Sequence, residues 1–384
     1  MLNKSLKILF RIFAQLIQRV ITPLFIILIL PPIAHAKKPF PYGLYESGGP
    51  IRFANDDAIS RTVNLVGQEG VLVRVAWDLC SDNMDCLLDT IELNLDTAES
   101  MGLKVALGIS DGNGAPPFVK ATCELFAFVF RDQASTLCLP WDTEYLAAKT
   151  AFTHSLGQRF DAHPALAYVY FVGSCSTNGF EGHCRIDEND FANAGYTVTG
   201  LSDAYITIMQ GYIDSFPQTP IVFEAHTLFN QTTVWDNLWQ TFKQSNKLGI
   251  ATWWCSERLS VNGHDTDPMW DLVQEIARTT FSVCQTVGEF TNQPWRFSDF
   301  NLSPSLDYGI ETDWNSIDVN NAVNETMNWM SGSATHVNQS ANIAAYNVAE
   351  IWTQDMNNNN FSSQLAVLLD SQNETIFLDG FEVP

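Results

Sequence analysis

Eight short runs of β-branched, aromatic and alanine residues, separated by amphipathic segments, constrain this chain more than any other feature. Such runs carry few charges, which is typical of parallel strands that are buried on both faces and joined by helices. Eight strand–helix units predict an α/β chain folded as a (β/α)8 TIM barrel with a short C-terminal β-type extension. Strands are expected at 42–45, 71–77, 104–109, 165–174, 221–226, 249–255, 281–288 and 334–338. Helices are expected near 86–101, 143–160, 202–216, 319–330 and 343–356.

The alternative to a barrel is an open, doubly wound sheet of parallel strands. No glycine-rich phosphate loop follows the first expected strand, which disfavours the nucleotide-binding form of that fold.

We divide the chain into a signal peptide (1–36), a barrel (37–356) and a C-terminal extension (357–384). The extension is expected to pack on the barrel or to form a tail.

The first residues have the pattern of an export signal. Basic residues (Lys4, Lys7, Arg11 and Arg19) precede an apolar run at 21–30, and Ala34-His-Ala36 offers a small-x-small cleavage site. The apolar run is short for a membrane span, although a retained anchor is the alternative. We expect a secreted or periplasmic protein.

The charge of the chain limits its partners. The formal net charge is −23, and no basic patch offsets it. An acidic surface repels nucleic acid and anionic membranes, so neither nucleic acid nor, after signal cleavage, a membrane is expected as a partner.

The eight cysteines form an even set, as in disulfide-bonded exported proteins. Neighbouring positions suggest the pairs Cys80/Cys86, Cys123/Cys138, Cys175/Cys184 and Cys255/Cys284, although spacing alone does not fix connectivity. No CxxC pair occurs and the histidines are scattered, so no metal site is expected. The nucleophile elbow of serine hydrolases, the HExxH motif and the Walker motif are also absent from the sequence.

Polar residues at the carboxyl ends of barrel strands are the candidates for function, because those ends meet at one face of the barrel. Glu181 follows the fourth expected strand and Glu289 ends the seventh. Further candidates for substrate binding are Arg74, Trp77, Asp111, Asn178, His226, Trp253, Trp254 and Asn338. Trp253 and Trp254 alternate across the sheet, so at most one faces the lumen.

Several candidates also have a simpler interpretation. Glu181 could be a solvated loop acid, and Glu224 could be a buried acid or a partner of a functional residue. His226 is as consistent with a structural role as with a functional one.

The fragments Met101-Gly-Leu-Lys-Val-Ala-Leu107 and Leu156-Gly-Gln-Arg-Phe-Asp-Ala-His-Pro164, together with the two glutamates, resemble the retaining (β/α)8 glycoside hydrolases. The resemblance implies that Glu181 is the general acid/base, that Glu289 is the nucleophile, and that Arg74 lies under Glu289. It also implies an enzyme that cleaves a β-linked oligo- or polysaccharide without a metal or organic cofactor.

The chain departs from that family in two places. Phe180 stands where many members have asparagine directly before the acid/base glutamate, and Asn178 lies two residues earlier. No tryptophan follows the expected eighth strand at 334–338. Two alternatives therefore remain open: an inactive carbohydrate-binding barrel, and an inverting glycosidase that uses Asp111 or Glu224 as its base.

Overall fold

The computed structural model of the chain is a closed barrel of eight parallel strands, which confirms the predicted (β/α)8 barrel. The predicted C-terminal extension at 357–384 lies outside the described residues. It describes residues 36–47, 68–130, 132–173, 175, 182, 184, 186–224, 226–252, 268–286, 323–324, 346–352 and 355. The compact unit that contains the barrel spans residues 38–384, and residues 1–37 form a separate unit. Among the described residues, no helix combines the length and apolar character that crossing a bilayer requires.

The barrel strands pair in chain order, and the last pairs with the first. In the order of the chain they are β1 (Gly43–Glu46), β2 (Gln68–Ala76), β3 (Lys104–Ser110), β6 (Leu166–Phe171), β7 (Ile221–Glu224), β8 (Leu248–Thr252), β9 (Ser282–Gln285) and β10 (Val348–Ile351). Thus β6 is the fourth barrel strand and β9 is the seventh.

Helices cover the outside of the sheet. The helices among the described residues are α1 (Met84–Ser100), α2 (Pro117–Lys120), α3 (Thr143–Phe160), α4 (Glu188–Asn193), α5 (Val198–Ser215), α6 (Thr233–Phe242) and α7 (Pro268–Thr279). Asp142 caps α3 by accepting a hydrogen bond from the Tyr145 amide, and Thr197 caps α5 through the Gly200 amide. Gly102, with a φ of 73°, ends α1, as glycine commonly does.

Two apolar layers hold the fold together. One lies between the sheet and the helices and includes Val71, Val73 and Val75 from β2. The other fills the lumen with residues from the opposite faces of the strands, such as Leu72 and Tyr168. Alternate residues of one strand therefore belong to different layers, as the pleat of a β-strand requires.

The eighth strand is not where the sequence predicted it. The strand that closes the barrel is β10, which pairs with β9 and with β1. The predicted helix at 343–356 is therefore wrong over residues 348–351. The predicted strand at 334–338 lies outside the described residues.

The sequence prediction also missed a hairpin between β3 and α3. Strands β4 (Leu125–Phe130) and β5 (Gln133–Cys138) pair in antiparallel fashion. The disulfide Cys123–Cys138 closes the base of the hairpin, and Phe126 packs edge-on against Phe191 of α4 at 5.2 Å.

Three of the four expected disulfides are present within the described residues: Cys80–Cys86, Cys123–Cys138 and Cys175–Cys184. Cys284 of β9 is also disulfide-bonded. Its expected partner, Cys255, lies outside the described residues.

Candidate functional site

The lumen changes from apolar to polar toward the carboxyl ends of its strands. Side chains on one face of a strand recur every second residue. On four strands, an apolar residue that faces the lumen is followed two positions later by a polar residue on the same face. The polar members of this layer are Arg74, Glu224, Gln285 and Glu350, which follow Leu72, Val222, Val283 and Val348. The sequence thus builds a polar floor beneath the barrel mouth.

Arg74, Gln285 and Glu350 form a chain of hydrogen bonds across this floor. The guanidinium of Arg74 donates to Oε1 of Gln285 at 2.9 Å. The amide of Gln285 donates in turn to Oε2 of Glu350 at 2.5 Å. Because an arginine can only donate and a carboxylate can only accept, the amide of Gln285 has one orientation in this chain.

Two tyrosines of β6 also bind Glu350. The hydroxyls of Tyr168 and Tyr170 each donate to Oε1 of Glu350 at 2.7 Å. Burial raises the pKa of Glu350, and the hydrogen bonds from the tyrosines and Gln285, with the charge of Arg74, oppose that rise. Burial, followed by the charge of Glu350, raises the pKa of both tyrosines well above its ordinary value.

A second polar group stands at the end of the fifth barrel strand, β7. Nδ1 of His226 lies 2.5 Å from Oε1 of Glu224, and Oε2 of Glu224 accepts a hydrogen bond from the Gly182 amide at 2.5 Å. Glu224 is buried, whereas the His226 side chain is 23% exposed. Gly182 directly follows Glu181, so the peptide that leaves Glu181 is bound at the end of β7.

The two glutamates themselves lie outside the described residues, as do Asn178, Trp253, Trp254 and Asn338. The strands that precede the glutamates are described. Glu181 follows β6, which ends at Phe171, and Glu289 comes four residues after Gln285, the last residue of β9. The predicted numbering of these strands within the barrel, fourth and seventh, is confirmed.

Trp77 and Asp111 lie on the outer side of the sheet, not at the mouth. Trp77 follows the outward-facing valines of β2 and stacks on Phe152 of α3 at 4.8 Å. Asp111 is completely buried, where it pairs with Lys149 of α3 at 2.8 Å. Both side chains are buried, which disfavours direct contact with a ligand, and their role in substrate binding stays a prediction. The same burial and the pairing with Lys149 also disfavour Asp111 as a base that activates water.

A tryptophan does follow the eighth strand once that strand is correctly located. Trp352 comes directly after β10, and its indole nitrogen donates to the carbonyl oxygen of Thr286 at 2.7 Å. Thr286 follows β9, so this bond joins the ends of the seventh and eighth strands. The chain therefore has a tryptophan after its eighth strand, although none follows the strand that the sequence predicted at 334–338.

One group among the described residues could offer three ligands to a metal ion: Asp96, Glu99 and His163. His163 precedes β6 and so lies at the amino-terminal edge of the barrel, away from the mouth. Its Nε2 already lies 3.1 Å from Asp96. Exposed acidic groups of this kind are common, and we assign no site to it.

No family model and no curated protein matches this chain. Solved structures do match it. Endo-glycoceramidase II from Rhodococcus sp., in a lactosyl-enzyme intermediate, is 11% identical with a TM-score of 0.46, over 83% of this chain and 76% of that one. GH5_18 from Streptomyces cattleya, in complex with GlcNAc, is 12% identical with a TM-score of 0.47, over 83% and 70%. Native xylanase 10B from Thermotoga maritima is 10% identical with a TM-score of 0.44, over 81% and 82%.

The structures to which the chain is similar thus include glycoside hydrolases. Identities this low bear on the fold alone, and the strand pairing already establishes the barrel. The function is therefore argued from the chain's own residues.

Proposed function

We propose that this protein is an exported glycoside hydrolase that cleaves a β-linked oligo- or polysaccharide with retention of anomeric configuration. The observation that carries the proposal is the hydrogen bond from the Gly182 amide to Glu224. It ties the residue next to Glu181 to the end of the fifth barrel strand, while Glu289 follows the seventh. Two carboxyl groups near one barrel mouth are what glycoside hydrolysis requires.

In the proposed reaction the two glutamates act in two steps. A carboxylate oxygen of Glu289 attacks the anomeric carbon while the carboxylic acid of Glu181 gives its proton to the departing glycosidic oxygen. The bond between carbon and leaving oxygen breaks, and a glycosyl ester of Glu289 forms. Glu181, now a carboxylate, takes a proton from water, whose oxygen attacks the anomeric carbon and releases Glu289.

The polar floor supports this division of roles. Arg74 is a permanent positive charge in the lumen, hydrogen-bonded to Gln285, which lies four residues before Glu289. A nearby positive charge favours the ionised form of a carboxyl group, as a nucleophile requires. The acid/base must instead hold a proton at working pH, which is a property of carboxyl groups in less polar surroundings.

Two features support export. The sequence begins with an export signal pattern, and the described part of the barrel contains three disulfides. Disulfides persist in oxidising compartments outside the cytosol.

The test is hydrolysis of a panel of β-linked oligosaccharides and polysaccharides, with the first-formed anomer of the product followed by NMR. Retention is expected, with loss of at least about 100-fold in kcat/KM for Glu289→Gln and for Glu181→Gln on unactivated substrates. A 2-fluoro glycoside of the hydrolysed sugar should add one glycosyl mass to the peptide that contains Glu289. Inversion would refute the mechanism, and sugar binding without turnover would favour a carbohydrate-binding barrel.

A further inference from the structure

Glu224 is a buried carboxylate that contacts two groups at the barrel mouth among the residues that the structure describes. It ends β7 and points into the lumen, two residues after the lumen residue Val222. Only 1% of its surface is exposed. A carboxylate so far from water requires hydrogen-bond partners within the protein.

The first partner is the peptide between Glu181 and Gly182. The nitrogen of that peptide donates to Oε2 of Glu224 at 2.5 Å. A bond from a backbone amide to a carboxylate is stronger than a neutral one. It fixes the main chain directly after Glu181.

The packing around Gly182 reinforces this attachment. A Cβ atom at this position would lie 2.2 Å from the carbonyl oxygen of Glu224 and 2.8 Å from the ring of Trp235. Only glycine allows the loop to approach β7 this closely. The disulfide Cys175–Cys184 closes the same loop on either side of Glu181.

The second partner is the imidazole of His226. Its Nδ1 faces Oε1 of Glu224 at 2.5 Å, and its backbone carbonyl accepts a hydrogen bond from the indole of Trp235 at 2.6 Å. Trp235 is itself held by stacking on Phe223 of β7, with ring centroids 5.3 Å apart. The contact with Glu224 and the bond from Trp235 together hold the imidazole of His226 at the end of β7.

We propose that Glu224 is a positioning residue that fixes both the acid/base loop, through the Gly182 amide, and the orientation of His226. The inference rests on the proposed function for its catalytic consequence, because it assigns Glu224 to act through Glu181. In this proposal Glu224 acts through the two groups that it contacts, the Gly182 amide and the imidazole of His226.

The first test compares hydrogen exchange over residues 176–186 in the full-length protein and its variants. Glu224→Ala removes the acceptor of the Gly182 amide and should raise the exchange of that amide at least about tenfold. Glu224→Gln retains an acceptor oxygen and should keep exchange near that of the wild type. Gly157→Ala, which disturbs a helix contact instead, should leave it unchanged. Equal exchange in Glu224→Ala and wild type would overturn the attachment.

The second test uses two aryl glycosides of the hydrolysed sugar, with 2,4-dinitrophenol and phenol as leaving groups. The phenol leaving group needs a proton to depart, whereas the dinitrophenol leaving group does not. Displacement of the acid catalyst should therefore slow hydrolysis of the phenyl glycoside only. Glu224→Ala should lower kcat/KM about 100-fold or more for the phenyl glycoside and less than about tenfold for the dinitrophenyl glycoside. Glu224→Gln should recover most of the loss.

The two tests separate the two proposals. Equal losses on both glycosides would refute the positioning role and leave glycoside hydrolysis intact. Changed exchange in a protein that hydrolyses no glycoside would refute the proposed function and leave the attachment of the loop to Glu224 standing.

Discussion

Lys149 and Asp111 form an ion pair in which both side chains are completely buried, with Nζ and Oδ2 2.8 Å apart. The hydroxyl of Tyr145 donates to the same oxygen at 2.6 Å, and the Gly112 amide donates to the other at 2.7 Å. The ammonium also lies 5.0 Å from the ring centroid of Trp77. The pair thus joins β3 to α3 on the outside of the barrel.

We expect Asp111→Ala to destabilise the fold rather than to weaken substrate binding. Removing one member of a buried ion pair leaves an uncompensated charge, at a cost of about 3–5 kcal/mol in the free energy of unfolding. The double variant Asp111→Leu/Lys149→Met should recover much of that loss, as measured by urea denaturation. A variant of unchanged stability but raised KM would instead mean that Asp111 meets the substrate.

Glu350→Gln should change how stability depends on pH. Because burial raises the native pKa of Glu350 above its ordinary 4.5, the native state keeps a proton that the unfolded chain has already released. The free energy of unfolding of the wild type therefore falls as pH rises from about 4.5 through the native pKa. Glutamine has no carboxyl proton to release. The free energy of unfolding of the variant, relative to that of the wild type, should therefore increase with pH over that range. Chemical denaturation from pH 4 to 8 measures the difference, and a constant difference would contradict the prediction.

Glu350 also marks the limit of what a local sequence pattern can predict. Most strands are predictable because their outward residues form a continuous apolar layer against the helices. The strand at 348–351 has only four residues, and its lumen position holds a glutamate whose partners, Tyr168 and Tyr170, lie 180 or more positions away. A local pattern contains no information about such partners, so the segment resembles part of a helix.

Strand alternation, by contrast, is sufficient to correct one assignment from the sequence alone. Trp77 shares a face with Val71, Val73 and Val75, whereas Arg74 lies on the other face. Arg74 and Trp77 therefore cannot both point into the lumen. The role of Glu224 is harder to predict from the sequence, because it depends on the backbone amide of Gly182, which lies 42 positions earlier in the chain.

Lys38→Met should remove a rise in stability at alkaline pH. The Lys38 ammonium donates to the carbonyl oxygens of His163 and Leu166 at 2.9 and 2.8 Å, and burial lowers its pKa to about 8. Between about pH 8 and the ordinary value of 10.5, the unfolded chain holds a proton that the native state has released. The free energy of unfolding contributed by this group therefore rises with pH across that window.

Denaturation of wild type and Lys38→Met at a series of pH values from 7 to 10.5 tests this directly. Lys104→Met is the informative control, because the positive charge of Lys104 contributes to the lowered pKa of Lys38. Removal of this charge should narrow the pH range over which the free energy of unfolding rises, without abolishing the rise. A parallel pH dependence in wild type and Lys38→Met would contradict the assignment.

Gly157→Ala and Gly211→Ala should have opposite effects, although both glycines lie where α3 packs against α5. A Cβ atom on Gly157 would lie 2.0 Å from the carbonyl oxygen of Ser215, which is backbone and cannot move aside alone. On Gly211 the nearest atom would be 3.6 Å away, on the side chain of Thr150. Alanine within a helix otherwise stabilises by about 0.5–1 kcal/mol relative to glycine, so Gly211→Ala should gain up to that amount. Gly157→Ala should instead lose about 1–3 kcal/mol through overpacking. Thermal and urea denaturation of the two variants would measure both effects. Equal free energies of unfolding would show that α3 and α5 can move apart without loss of stability.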